Sequence, residues 1–226
     1  MYKIVIGLPG NNFSDIFLKC WTELIVKLIK EPNIQFHVAF GYSSYVTFAR
    51  MQTLGLDVLR GIDQRPFNGQ DFDYFISLDS DIFFTYEQLI ELINNLEQYP
   101  VVSGYYMMSD AQHTCVVKDW DTQYFAEHGT FKFLKPSEII EASKMTQFIP
   151  ISYSGMGFFG CRREVFEKLQ YPYFWRPLEV IQGPDGKTIT DTCSEDVAFC
   201  KNIQDAGFQI ILNTKLRVGH EKKLVI

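Results

Sequence analysis

The sequence predicts an α/β fold, a mostly parallel, doubly wound sheet flanked by helices. Two observations carry this. Short apolar runs of strand length alternate with longer segments of helical periodicity over the first hundred residues. One of those runs, residues 74–78, stops abruptly at Asp79-Ser80-Asp81. A short apolar run of this kind is the mark of a buried strand in a parallel sheet, and ligands bind beyond the carboxyl ends of such strands.

The elements follow in order. Residues 5–8 form a first strand, closed by Pro9-Gly10-Asn11-Asn12. Ser14 or Asp15 caps a helix reaching about residue 30, with Ile16, Phe17, Trp21, Leu24, Ile25, Leu28 and Ile29 close to one stripe. Pro32-Asn33 breaks it, and 35–40 is a second strand ending at Gly41. A helix over 47–59, the strand 74–78, a helix over 86–96 capped by Thr85 and a strand over 101–106 complete the alternation. The second half is less regular. Residues 109–133 read as strands and loops, 136–144 as a short helix, 148–159 as one Gly-rich strand-like run and 163–169 as a short helix. Residues 171–192 carry Pro172, Pro177, Gly183, Pro184 and Gly186 and read as a long loop that is mobile and closes over a ligand. A helix over 195–206 ends at Gly207, followed by strands at 208–212 and 216–218. The expectation is a single domain over 1–226, with a nucleotide-binding half (1–108) and an acceptor half (109–226), either whole or the first domain of a longer protein.

Composition narrows the function. A length of 226 residues suffices for a sizeable core, and 46% hydrophobic content reads as globular. A net charge of −6 argues against nucleic acid as a partner, and the Lys222-Lys223 pair is too small to be a basic tail. No apolar run approaches the ~20 residues of a transmembrane helix, and no cleavable signal precedes the first strand. Five cysteines without a Cys-x-x-Cys suggest free thiols in a reducing compartment, hence a cytoplasmic location, or the host cytoplasm for a viral protein.

Four groups of residues are candidates for chemistry. Asp79 and Asp81, one residue apart, repel each other unless a proton or cation relieves them, and a hard divalent metal with a phosphate partner is the usual relief. The same pair also reads as a strand end plus a helix cap. Gly155-Met156-Gly157-Phe158 puts costly glycines in a strand-like run, as a bulge or as a pocket wall. Ser194-Glu195-Asp196 is a favourable helix start that also offers a carboxylate base. His220 follows Gly219 and is either structural or a third metal ligand beside the aspartates. His37, His113 and His128 have no comparable setting.

Together these residues resemble the GT-A fold family of nucleotide-sugar glycosyltransferases, in small forms like those of bacteria, phages and large DNA viruses. The likeness rests on the order of the first strand, Asp79-Ser80-Asp81, Ser154-Gly155-Met156-Gly157-Phe158-Phe159, Ser194-Glu195-Asp196 and Gly219-His220. It implies a hexosyltransferase acting from a nucleotide-diphosphate sugar, a UDP-sugar being favoured, on a hydroxyl of a glycan or glycoprotein. Leu8, Pro9, Gly10, Asn11, Arg50, Asp79, Ser80 and Asp81 would meet the donor. Asp79, Asp81 and His220 would hold Mn2+ or Mg2+, and Gly155, Met156, Gly157 and Phe158 would line the acceptor pocket. Asp196 would be the base of an inverting transfer with Glu195 as its neighbour; a retaining transfer would need no base there. Gly10-Asn11-Asn12 matches the family's base-contacting residues only approximately.

Three rivals fit less well. A haloacid-dehalogenase-type phosphatase also places Asp-x-Asp after an apolar strand, but on the first strand and with Thr or Val where this chain has Phe83. A nucleotidyltransferase wants a basic, Gly-rich loop after the first strand, and Leu8 to Asn12 holds no Lys or Arg. A non-catalytic sugar-binding domain would have no need of Asp79, Asp81, Asp196 and His220 together.

Overall fold

A computed structural model describes residues 1–183 and 186–222; Pro184, in the expected loop, and Lys223, of the terminal lysine pair, lie outside it. Helices and strands alternate in the first half as β1 (Tyr2–Pro9), α1 (Asp15–Leu28), β2 (Ile34–Gly41), α2 (Val46–Thr53), β3 (Tyr74–Leu78), β4 (Ile82–Phe83), α3 (Tyr86–Asn95) and β5 (Val101–Tyr105). Then come β6 (Val116–Val117), α4 (Thr122–His128), α5 (Pro136–Met145), β7 (Phe148–Ile151), β8 (Tyr153–Ser154), β9 (Phe158–Arg162) and α6 (Arg163–Lys168). The chain closes with β10 (Glu179–Gln182), β11 (Thr188–Asp191), α7 (Glu195–Asp205), β12 (Ile210–Arg217) and β13 (Gly219–His220).

Seven strands form the central sheet in the order β2-β1-β3-β9-β5-β12-β7. β2, β1 and β3 are mutually parallel, as are β5 and β12, while β9 and β7 run against their neighbours. Five of the seven strands therefore point one way, and their carboxyl ends share one edge. Alternation along the strands sorts side chains into two layers. Phe75 and Phe159 meet Phe166 of α6 and Phe199 of α7. On the opposite face Phe158 meets Phe84, which packs on Phe17 of α1, and Gly160 lies against Leu92 and Leu96 beneath α3. Each fully buried large apolar side chain in these layers contributes roughly 1.5–3 kcal/mol.

Local signals explain the helix starts. Ser14 accepts from Phe17 N, and Thr85 forms a reciprocal capping box with Gln88. Several expectations need correction. The helix expected over 47–59 ends at Thr53, because Gly55 takes a left-handed φ of 62°, and only 3-10 turns, Val58–Arg60 and Pro66–Gly69, come before β3. The single run expected over 148–159 is three strands in two sheets, since β9 is inserted antiparallel between β3 and β5. The segment 171–192 is not a plain loop. Tyr173 and Phe174 are buried in the core, Asn202 of α7 donates to Tyr173 O at 2.8 Å, and β10 and β11 form a hairpin. Among the described residues all five cysteines are free thiols, and no helix is long and apolar enough to cross a membrane.

Candidate functional site

The carboxyl edge of the sheet gathers most of the residues singled out above. β3 ends where Asp79 N donates to Gly157 O (3.1 Å), and a turn closed by Ile82 N donating to Asp79 O (3.2 Å) redirects the chain into β4. That turn sends the two carboxylates in different directions. Asp79 faces α2, while Asp81 faces β13, because β4 and β13 pair with His220 opposite Ile82 and Glu221 N donates to Asp81 O (2.8 Å). Each carboxylate meets its own basic partners, Arg50 at Asp79 and His220 with Lys222 at Asp81.

Arg50 is the first of these. It is 5% exposed on α2. Its Nη1 donates to Asp79 Oδ1 (2.7 Å) and Ser77 Oγ (3.0 Å), its Nη2 to Asp79 Oδ2 (3.1 Å), and its Nε to Glu195 Oε1 (3.3 Å). Burial works against the guanidinium charge, but Asp79 and then Glu195 outweigh it and hold the group firmly protonated. Both Asp79 oxygens thus accept from Arg50, whereas the expectation placed Asp79 with Asp81 and His220 on one metal. Among the described residues no three His, Cys, Asp or Glu side chains cluster as a ready-made metal site.

Asp81 and His220 form the second pair. Met107 O, which can only accept, lies 2.7 Å from His220 Nδ1, so Nδ1 carries a proton. In the neutral ring Nε2 then directs a lone pair at Asp81 Oδ2, 3.1 Å away. Two acceptors that close require a second ring proton or a cation between them. A carbonyl-anchored imidazole beside a carboxylate suits a divalent ion. Glu221 adds a buried carboxylate oxygen, Oε2, with no partner among the described residues, and it lines the same cavity as Asp81. The residues present fit a divalent cation held by Asp81 and His220, with the remaining positions left to a ligand. Lys222 Nζ also reaches Asp81 Oδ2 (2.8 Å). Burial alone would raise the Asp81 carboxyl, but the bonds from His220 and Lys222 prevail and hold it at about 2.

This cavity measures about 470 Å³ and runs from Asn12, Phe13, Ser14 and Asp15 to Ser80, Asp81, Glu221 and Lys222. Its size suits a small-molecule ligand. Gly10, at φ 124°, turns the chain after β1 so that Ser80 Oγ would lie 3.3 Å from a Cβ there. Pro9 pairs with Gly41 at the sheet edge. The Leu8 side chain, in contrast, is 1% exposed and belongs to the core. Asn11 is exposed beside this turn.

The third group opens α7. Glu195 meets Arg50, and burial, then the neighbouring Asp196 charge, raises its carboxyl above the usual range. Asp196 is held by three donors: Tyr153 OH to Oδ2 (2.6 Å), and Ser194 Oγ (2.5 Å) and Val197 N (2.8 Å) to Oδ1. Tyr106 lies between the groups. Its ring meets His220 edge-on at 4.6 Å, and burial, then Cys115 and the charges of Asp79 and Asp196, push its phenol well up.

Sequence reasoning missed Ser77, Tyr106 and Tyr153. The glycine pattern held the missing signal. A Cβ on Gly155 would lie 2.3 Å from Tyr106 Oη, and one on Gly157 would lie 2.9 Å from Tyr106 Cε1. These glycines make room for a tyrosine. The side chains of Met156 and Phe158, 1% and 0% exposed, lie in the core and offer an acceptor nothing.

No protein-family model matches this chain, and no curated protein sequence is significantly similar to it. Solved structures are similar in fold. The crystal structure of A197 from STIV has 16% identity and a TM-score of 0.52, over 100% of this chain and 97% of that one. The crystal structure of GalNAc-T7 with UDP, GalNAc and Mn2+ has 12% identity and a TM-score of 0.58, over 99% of this chain. This chain spans 43% of the GalNAc-T7 chain. At these identities the likeness establishes the architecture, a GT-A-like mixed α/β fold.

Proposed function

We propose that this chain is a glycosyltransferase that moves a sugar from a nucleotide-diphosphate sugar, with UDP-sugars favoured, to a hydroxyl of a glycan or glycoprotein. The observation that carries this reading is the linked array at the carboxyl edge of the sheet. Arg50 ties Asp79 to Glu195, and Asp81 and His220 stand beside a cavity of about 470 Å³. The GT-A-like fold and the bound UDP and Mn2+ of the similar GalNAc-T7 structure support it.

In this reading the first half binds the donor and the second half the acceptor. Gly10, Asn11, Ser80 and the Arg50-oriented Asp79 meet the nucleotide and its sugar, and Asp81 and His220 hold Mn2+ or Mg2+. A divalent ion bound there neutralises charge on the departing diphosphate. Asp196 takes the proton of the attacking hydroxyl in an inverting transfer, oriented by Tyr153 and Ser194. One observation favours a second assignment. Burial raises the Glu195 carboxyl above its usual range, and three donors already hold Asp196. Glu195 is then the base and Asp196 anchors the start of the helix.

The test is turnover. Incubated with a panel of UDP-sugars and Mn2+, the native protein is expected to release UDP slowly by hydrolysis. Arg50→Ala and Asp81→Ala are expected to lose this release. Release from none of the donors would refute the reading.

A further inference from the structure

We propose that a separate cavity beside the start of α7 seats one pyranose ring of the acceptor; this rests on the transferase reading above and names the substrate class on its acceptor side. The cavity measures about 260 Å³ and is lined by Phe125, Phe131, Phe133, Glu179, Asp191 and Ser194, among others. Of its lining, only Ser194 belongs to a motif singled out from the sequence.

Its walls are chemically divided. On one side the rings of Phe125 and Phe131 lie 5.1 Å apart and those of Phe131 and Phe133 6.4 Å apart, with Trp120 behind Phe131 at 5.3 Å. On the other side stands the base of the β10–β11 hairpin, where Glu179 and Asp191 face each other in register. Lys201 pairs with Glu179, while Asp191 has no such cation among the described residues. A pyranose presents the matching halves: an apolar C–H face for aromatic rings and a rim of hydroxyl donors for carboxylates. The volume admits one ring rather than an extended chain.

The cavity also adjoins the reaction centre. Ser194 lines it and donates to Asp196 Oδ1 at 2.5 Å. Phe131 and Phe133 pack against Tyr153, at 6.4 and 6.1 Å, and Tyr153 donates to Asp196 Oδ2. A sugar held between the hairpin and these rings would have its hydroxyls next to the carboxylates that open α7. The β10–β11 hairpin thereby supplies a carboxylate wall to the acceptor.

The experiment is ligand-observed NMR on the full chain with the methyl glycosides of glucose, galactose and N-acetylglucosamine, with calorimetry of UDP and Mn2+ on the same samples. At least one glycoside is expected to bind, with Phe131 and Asp191 both needed. Asp191→Asn, at the half-buried hairpin base, keeps the fold and removes one charged acceptor. It is expected to weaken binding about tenfold, the effect of losing one hydrogen bond to a charged group. Phe131→Ala is expected to weaken it at least as much. If UDP binds and no glycoside does, or if Asp191→Asn binds glycosides as the native protein does, the cavity proposal falls alone. If a glycoside binds with Asp191 dependence while UDP does not bind, the sugar site stands and the transferase reading falls.

Discussion

Arg50 carries a full charge with almost no water around it, and its worth lies in what it compensates. Removing one member of a buried charge cluster leaves the others unpaired, which costs about 3–5 kcal/mol. Arg50→Ala is therefore expected to lower the unfolding free energy by about that amount in urea titrations; an unchanged midpoint would mean the cluster is already well hydrated. Asp81 makes a different, pH-dependent contribution. Its carboxyl lies below its ordinary value, at about 2, so its stabilisation is present above the unfolded-state value and is lost as pH falls toward about 2. In metal-free buffer, Asp81→Asn is expected to flatten the acid limb of the stability profile between about pH 4 and 2. An identical limb in native and variant would remove the His220–Asp81–Lys222 account. The base assignment also belongs at this scale. Asp196→Asn is expected to lose transfer by ~10²–10⁴-fold with donor binding near native. If Asp196→Asn keeps its rate and Glu195→Gln loses it, Glu195 is the base.

At the scale of the element, the strand-like run after Ser152 shows how a backbone makes space for chemistry. Gly155 is free of side chain so that Tyr106 can lie across it, 2.3 Å from where a Cβ would be. Gly155→Ala is expected to destabilise the fold by about 1–3 kcal/mol and to displace Tyr106 from His220. Pairing it with Tyr106→Phe, which removes the clashing hydroxyl, is expected to restore most of the loss; no restoration would place the cost elsewhere. The segment 171–192 divides in two. Tyr173 and Phe174 are core residues strapped to α7, so hydrogen exchange is expected to be slow there and faster in the two strands Glu179–Gln182 and Thr188–Asp191, which pair only with each other. Uniformly fast exchange across the segment would bring back the simple lid read from its Pro and Gly content.

Local signals were legible at this scale and pairing partners were not. The stop of β3 at Asp79 and the caps at Ser14 and Thr85 depend on residues within a few positions of each other. The insertion of β9 between β3 and β5 depends on pairings 56 to 88 positions apart, which periodicity does not encode. Helix α4 was hidden because its aromatic residues, Tyr124 and Phe125, sit among polar ones in a seven-residue segment, too short for a clear stripe. At the site, Asp79, Asp81, Glu195 and Asp196 stood out as carboxylates at element ends. That Arg50 would take both oxygens of Asp79 was invisible, because it follows from how α2 crosses the sheet.

At the scale of the whole molecule, the proposed function asks an acidic chain with a net charge of −6 to receive an anionic diphosphate. Two cationic groups stand at the carboxyl edge of the sheet, Arg50 from α2 and Lys222 just beyond β13, with the His220 imidazole beside them. Those groups are already matched to Asp79 and Asp81, so in the proposed function a divalent cation would add the charge that a diphosphate requires. The direct test is calorimetry of UDP binding to the native protein and to Asp81→Ala, with and without Mn2+. The account predicts tight binding to the native protein with Mn2+, binding weaker by at least about tenfold without it, and no Mn2+ effect in Asp81→Ala. Equal UDP affinity with and without Mn2+ in the native protein would contradict it.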